Sequence, residues 1–257
     1  MDKKIFFFDI DGTLCHMNKV SPRVAKAIQD IRKKGHLCFI ASGRPPTFIQ
    51  KAVKEVGFDG FVLCNGGYAF TETETLHEVK LNDEHLLPLL SFLKENNCEY
   101  ILQTKEACFL DPAYNRLYEF FDRIGINAKA FIRDYNEEDV LNDLIKIEIW
   151  PNTYEFGAVI KENFPHYTWH QYMNSNMEMY IHGKSKAWGI MQVAKKYDIP
   201  YEKTYCFGDG TNDIEMLEAV CNSYAMGNAS DEVKAHAKNV CPSIEEDGIA
   251  VVLESML

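Results

Sequence analysis

Along the first 65 residues the apolar positions follow two rhythms. "KIFFFD" is apolar without alternation, the pattern of a parallel strand covered on both faces. "SPRVAKAIQDIRKKG" predicts a complete helix. Ser21 is its N-cap, Pro22 its first position and Gly35 its stop, with Val24, Ala27, Ile28 and Ile31 at helical spacing and a basic last turn. "HLCFIAS" is a second buried strand, a helix is predicted from Thr47 to Val56 with Gly57 ending it, and "FVLCN" is a third strand. Strands interleaved with helices in this way predict a parallel sheet with right-handed crossovers.

The same rhythm returns near the other end. "KSKAWGIMQVAKKYDI", "NDIEMLEAV" and "DEVKAHA" read as helices, and "KTYCFGD", "SYAMGN" and "KNVC" as strands. Between them, over residues 82–183, the texture changes. Helical stretches such as "DEHLLPLLSFLKENN" and "PAYNRLYEFFDRIG" alternate with strands such as "EYILQT" and "LIKIEIWPN". In the last of these, Lys146 and Glu148 alternate with Ile145, Ile147 and Ile149, which predicts an antiparallel sheet with one face in water. The expected organisation is an α/β parallel-sheet domain, residues 1–81 and 184–257, interrupted by an inserted α+β domain, residues 82–183.

Composition narrows the function classes. The 257 residues, 46% hydrophobic and 25% charged, suffice for one large or two moderate cores. The apolar run in "MDKKIFFFDI" is too short for a signal peptide, and no stretch approaches the ~20 apolar residues of a membrane span, so a cytoplasmic protein is expected. A net charge of -11 argues against a broad nucleic-acid-binding face, so any anionic ligand must be held by a few local groups. The eight cysteines form no CxxC pair and no Cys/His cluster, and read as reduced core residues.

Chemistry gathers at strand ends. In "FFFDIDGTL", Asp9 and Asp11 are two apart and so point the same way where the first strand finishes, at the edge where open α/β sheets bind ligands. Adjacent carboxylates repel, so a divalent cation or a shared proton is expected with them; the competing reading is a plain Asp-Gly turn. After the second strand, "ASGRP" offers the Ser42 hydroxyl, a close backbone approach at Gly43 and the Arg44 cation, which suit a phosphate oxygen or, alternatively, make an ordinary loop with a solvated arginine. In "GDGTNDIEML", Asp209 and Asp213 flank Asn212 ahead of a helix. Helix capping would account for Asp213 but not for Asp209 as well.

"DIDGTL", "SGR", the lysine of "GKSKAWGI" and "GDGTNDIEML", in this order with a large insertion between the second and third, resemble the four signature motifs of the haloacid dehalogenase superfamily. More narrowly, "NGGYAF", "MGNASDEVKAHAK" and "EEDGIAVVLE" are similar to its Cof-type subfamily of sugar-phosphate and related phosphatases with a C2B cap. The resemblance spans the two core segments and is weakest in the insertion. It implies a Rossmann-like parallel-sheet core with an inserted α+β cap of C2B type. Asp9 would be the nucleophile, forming an aspartyl-phosphate, and Asp11 the general acid and base. Mg²⁺ would be held by Asp9, the backbone carbonyl of Asp11 and Asp209, with Asp213 binding directly or through water. Ser42 and Lys186 would grip the phosphoryl group, with backbone N–H groups of Gly12 and Gly43. Arg44 and Asn65 would line the same edge, Asn65 being equally readable as a turn residue, and Asn212 would orient Lys186 or the phosphate.

The family pattern favours Lys186 over Lys184, which remains a rim residue, and Ser42 stands where the subfamily usually has threonine. The insertion would close over the core about hinges near residues 80–83 and 181–184. His182, beside the second hinge, is the one cap residue nominated, because the aromatic segment "YTWHQYMNSNMEMYIHG" reads as strands packed against cap helices. The implied activity is Mg²⁺-dependent hydrolysis of a small phosphorylated metabolite by a monomer or weak homodimer with no nucleic-acid or membrane partner. A phosphomutase and a non-catalytic phosphometabolite sensor are the alternatives. A broken Asp9 or Asp11 would mark the sensor, and both are intact.

Overall fold

The computed structural model describes residues 3–126, 128–172 and 176–257; residues 173–175, within the aromatic segment, lie outside these. In chain order the first segment runs β1 (Ile5–Phe8), α1 (Pro22–Lys33), β2 (Leu37–Ala41), α2 (Lys51–Val56), β3 (Gly60–Leu63), β4 (Tyr68–Phe70) and β5 (Thr75–Glu78). The middle segment runs α3 (Leu86–Glu95), β6 (Glu99–Gln103), β7 (Cys108–Leu110), α4 (Asn115–Arg123), β8 (Phe131–Ile132), α5 (Glu137–Leu141), β9 (Lys146–Trp150), α6 (Phe156–Asn163), β10 (Tyr167–Gln171) and β11 (Met177–Ile181). The last runs α7 (Lys186–Lys196), β12 (Thr204–Gly208), α8 (Ile214–Ala219), β13 (Asn222–Ala225), α9 (Asp231–Ala235), β14 (Asn239–Val240) and α10 (Gly248–Glu254). These segments make two compact units. One comprises Met1–Gly43, Ile49–His77 and Ser185–Leu257; the other comprises Arg44–Phe48 and Glu78–Lys184.

The first unit is built on a sheet ordered β14-β13-β12-β1-β2-β3-β4-β5, parallel from β14 to β3, with β4 antiparallel to β3. β1 is buried on both faces, which explains its lack of alternation. Ile5 and Phe7 join a core with Phe39, Val62, Ile190 and Cys206, while on the other face Phe6 stacks on Tyr205 at 4.7 Å and Phe8 on Phe207 at 5.2 Å. Phe8 is level with Ile40 of β2 and with Phe207 of β12, so these three strands end together. α1 forms as its sequence predicts, with Ser21 extended ahead of Pro22 and Val24, Ala27, Ile28 and Ile31 buried.

The helix predicted from Thr47 differs: α2 starts at Lys51, behind an extended Gln50, and Pro46–Phe48 is a separate 3-10 turn. Phe48 supplies the reason. Its ring is buried in the second unit against Phe121 and Phe131, 5.3 and 5.6 Å away, which holds residues 44–48 off the helical path.

The second unit has a sheet ordered β10-β11-β9-β6-β7-β8, antiparallel except for the β7–β8 pair. One face carries Tyr100, Leu102, Ile147, Ile149, Met177 and Met179 and packs against Leu86, Leu89, Leu90 and Leu93 of α3 and Ile160 of α6. Leu81 is buried in the same cluster and its N–H donates to Leu144 O at 2.7 Å. The other face corrects the expectation of a wetted sheet, since Lys146 and Glu148 are only 1% and 6% exposed. Lys146 hydrogen-bonds Glu178, 32 residues downstream, and the local alternation cannot show that distant partner.

All eight cysteines are free thiols, seven of them buried and Cys221 half-buried. Among the described residues no helix is long and apolar enough to cross a membrane.

Candidate active site

Asp9 continues the ladder just past β1. Its N–H donates to Phe207 O at 3.0 Å and its side chain is buried. The chain then turns tightly, the Ile10 carbonyl accepting from the N–H groups of Leu14 and Cys15 at 3.1 and 2.8 Å, and leaves Asp11 exposed. Gly12 sits at φ 84°, and a Cβ there would run into the Asp209 carboxylate, so only glycine lets the two loops approach. Thr13 Oγ1 then donates to Asp209 Oδ1 at 2.6 Å.

Lys186, the first residue of α7, is fully buried and bridges two acids. Its Nζ donates to Asp9 Oδ1 at 2.8 Å and to Asp213 Oδ1 at 2.5 Å. The other oxygen of Asp213 accepts the N–H groups of Asp209 and Gly210, each at 3.0 Å, which fixes the turn after β12. Burial alone would depress the Lys186 ammonium, but Asp213 and Asp9 outweigh it and hold the pKa above the usual lysine value. Burial, followed by the charge of Asp213, pushes Asp9 well above the carboxylate range although Lys186 pulls it down. Burial pushes Asp209 up to about 6 against the Thr13 hydrogen bond.

One oxygen each from Asp9, Asp209 and Asp213 lies within 4.8 Å of the others. An all-oxygen set with more negative charge than Lys186 neutralises fits a hard divalent cation, whose charge would favour the ionised form of Asp9.

Ser42, just past β2, is buried; its N–H donates to Val62 O at 2.9 Å and its carbonyl accepts from Asn65 N at 3.2 Å. Cys64, Asn65 and Gly66 then take positive φ values of 53°, 52° and 93°. This turn wedges under the start of α7, for a Cβ on Gly66 would strike the Ser185 carbonyl and lie 3.2 Å from Lys186 Cα. His77 Nε2 is 2.8 Å from Gly66 O, and the His77 ring meets Trp188 of α7 edge-on at 4.9 Å. Gly66→Ala is therefore expected to cost about 1–2 kcal/mol from the left-handed backbone alone, and to lower turnover further by displacing Lys186. A denaturant melt beside a rate measurement checks both, and an unchanged rate would show that the turn does not position Lys186.

The remaining candidates are placed as follows. Gly43 is buried at the edge of the first unit. Arg44 belongs to the second unit, where its Nη1 donates to Phe48 O at 3.0 Å. Lys184 is half-buried, and the exposed His182 has its Nδ1 3.2 Å from Thr168 Oγ1, both in the second unit. Asn212 is half-buried and makes no side-chain hydrogen bond among the described residues; Lys186 is oriented by Asp9 and Asp213 instead. Sequence reasoning missed Thr13, Gly66 and Asn228. Asn228 Nδ2 donates to Gly12 O at 2.9 Å while its Oδ1 accepts Ile244 N at 3.0 Å, tying the loop after Asp9 to the C-terminal segment. Thr13 and Asn228 lie inside the quoted "DGT" and "MGN", where a hydroxyl and an amide beside glycine were the available signal.

The relatives of the chain are consistent along its length. YkrA of Bacillus subtilis (strain 168), whose name carries a provisional phosphatase assignment, is 30% identical over 261 residues, covering 100% of this chain and 98% of its own. YitU of the same organism, named 5-amino-6-(5-phospho-D-ribitylamino)uracil phosphatase, is 27% identical over 96% of this chain and 94% of its own. The solved structure of BT4131, a subclass IIB sugar phosphatase, matches with a TM-score of 0.86 at 27% identity, over 98% of both chains. The model of the haloacid dehalogenase-like hydrolases matches residues 6–253, and the chain belongs to that family.

Proposed function

We propose that the protein is a Mg²⁺-dependent phosphatase that hydrolyses small phosphorylated metabolites through an aspartyl-phosphate on Asp9. The observation that carries this reading is the buried Asp9–Lys186–Asp213 bridge beside Asp209, four charged groups held at the strand ends of the first unit. Lys186 pins one oxygen of Asp9 and so sets the direction of its carboxylate. Asp9 attacks phosphorus as the bond to the leaving oxygen breaks, and Asp11, exposed two residues on, gives that oxygen a proton. Asp11 then takes a proton from water, which attacks the same phosphorus, releases phosphate and frees Asp9. Ser42, Lys186 and the N–H groups of Gly12 and Gly43 hold the phosphoryl oxygens, where preorganised donors carry much of the catalysis. Asp9, the Asp11 carbonyl and Asp209, with Asp213, would hold the cation, whose charge offsets those of the carboxylates and the phosphate.

The second unit serves as a cap that selects the leaving group. Relatives named for a ribityl phosphate and for sugar phosphates point to phosphorylated polyhydroxy compounds as the substrate class.

Phosphate release from a panel of phosphate monoesters, with Mg²⁺ and with chelator, tests the reading, and full activity in chelator would refute it. A second readout needs no turnover. Asp9 and Asp209 have raised pKa values, so the folded protein keeps protons that the unfolded chain sheds near 3.8; the contribution of Asp209 to stability is lost as pH rises through about 6, and that of Asp9 as pH climbs through its own raised value. Mg²⁺ competes with those protons, so the rise in melting temperature on adding it should be larger at pH 7.5 than at pH 5. An equal rise at both pH values would place the cation elsewhere.

A further inference from the structure

His77 enters no step above. It is the last residue of the first unit before the chain crosses to the second, and Ser185 is the residue at which the chain returns. Both bear on Gly66. His77 Nε2 is 2.8 Å from the Gly66 carbonyl oxygen, and the Ser185 carbonyl lies where a Cβ on Gly66 would be. A carbonyl only accepts, so a proton sits on His77 Nε2 and is donated to Gly66.

The turn that receives it is strained. Cys64, Asn65 and Gly66 are left-handed in succession, and the first two carry side chains that disfavour that conformation. Such a backbone persists only where its surroundings fix it. Ser42, α7 and His77 each contribute. The Ser42 carbonyl accepts Asn65 N at 3.2 Å. Helix α7 packs so closely that a Cβ on Gly189 would come within 2.6 Å of Gly66 Cα. His77, on the edge strand β5, takes the Gly66 carbonyl, and its ring meets Trp188, two residues beyond Lys186, edge-on at 4.9 Å.

The consequence reaches Lys186. Asp9 and Asp213 aim its ammonium, but its backbone is seated on Gly66. The same turn leads back through Asn65 to Ser42. Without the His77 hydrogen bond the strained turn can relax, and the groups on either side of it move with it. An ordinary loop could use such a contact for stability alone. Here the acceptor belongs to the turn that joins two phosphate-holding residues, where small misplacements are costly.

We propose that His77 is a positioning residue: by donating from Nε2 to the Gly66 carbonyl it keeps the 64–66 turn left-handed and so holds Ser42 and Lys186 in register for a phosphoryl group. This deepens the phosphatase reading and rests on it for the reaction, though not for the binding of phosphate.

Three variants of the full chain, checked by thermal melts and measured well below their melting temperatures, test the proposal. His77→Phe keeps a ring beside Trp188 but has no donor. His77→Leu also lacks the donor and is shorter, which guards against a clash in His77→Phe. His77→Gln loses the ring but still offers an N–H at a similar reach. Binding of inorganic phosphate in the presence of Mg²⁺, followed by titration calorimetry, is expected to weaken about fivefold or more in the two variants without a donor and to stay within about twofold of wild type in His77→Gln. The value of kcat/KM should fall in parallel, by the same factor for ribitol 5-phosphate and for p-nitrophenyl phosphate, because the phosphoryl group is common to both. No phosphate binding by wild type, or an affinity unchanged in folded His77→Phe and His77→Leu, overturns the proposal. So does a His77→Gln protein as impaired as they are, which would assign the effect to ring packing. A loss confined to one of the two esters also overturns it, by placing His77 in the choice of leaving group. The expected pattern of phosphate affinities, with no ester hydrolysed by wild type, would instead refute the phosphatase and keep the role of His77.

Discussion

The Asp9→Asn protein is expected to release phosphate at no more than roughly 10⁻³ to 10⁻⁴ of the wild-type rate, because an amide is no nucleophile toward phosphorus. The same substitution should leave the metal-free fold as stable at pH 7.5 as before, or more so. Burial and Asp213 raise Asp9 well above the ordinary carboxylate value, so an uncharged group there spares the metal-free fold the cost of holding a buried carboxylate at pH 7.5. Asparagine supplies one, with an oxygen still able to accept from Lys186. Opposite movements of activity and melting temperature are the signature of a strained, functional carboxylate. If turnover persists, another group is the nucleophile; if stability falls sharply, Asp9 is chiefly a structural partner of Lys186.

Lys186→Met should have the largest effect on stability. The ammonium is the cation bridging Asp9 and Asp213, both buried, and removing one partner of a buried ion pair typically costs about 3–5 kcal/mol. The chain can recover part of this by protonating Asp9, whose pKa would rise further once the lysine no longer lowers it. A raised acid stabilises the fold at low pH and loses that contribution as pH climbs through its folded pKa. The variant should therefore melt at a distinctly higher temperature at pH 5 than at pH 8, a wider gap than wild type shows. Denaturant melts at the two pH values decide it, and equal stability at both would mean that the carboxylates find another cation.

The strand ends were legible in the sequence because their physics is local. An apolar run that stops at Asp9, a glycine that lets Asp209 come close and a helix bracketed by Ser21 and Gly35 each announce themselves within a few residues. What was misread depends on distant partners. Alternating charge in "KIEIW" looks wet because lone charges belong in water, and nothing nearby says that Glu178 will neutralise Lys146. The start of α2 moved for a similar reason, since Phe48 answers to Phe121 and Phe131 rather than to its neighbours. Arg44, adjacent in sequence to Ser42 and Gly43, went with Phe48.

The pairing of β1 with β12 also bears on how the protein is made. The strand that leads into Asp9 leaves the ribosome before its two neighbours, and one of these, carrying Asp209 toward the same edge, is translated about 200 residues later. Until then β1 and β2 can pair with each other but present a bare hydrogen-bonding edge, and the carboxylate cluster lacks two of its members. The middle segment has its own sheet and core and can fold during this interval. A nascent chain halted before Thr204 would thus carry a finished second unit on a half-built first one, and its exposed strand edge is the place where a chaperone would be needed.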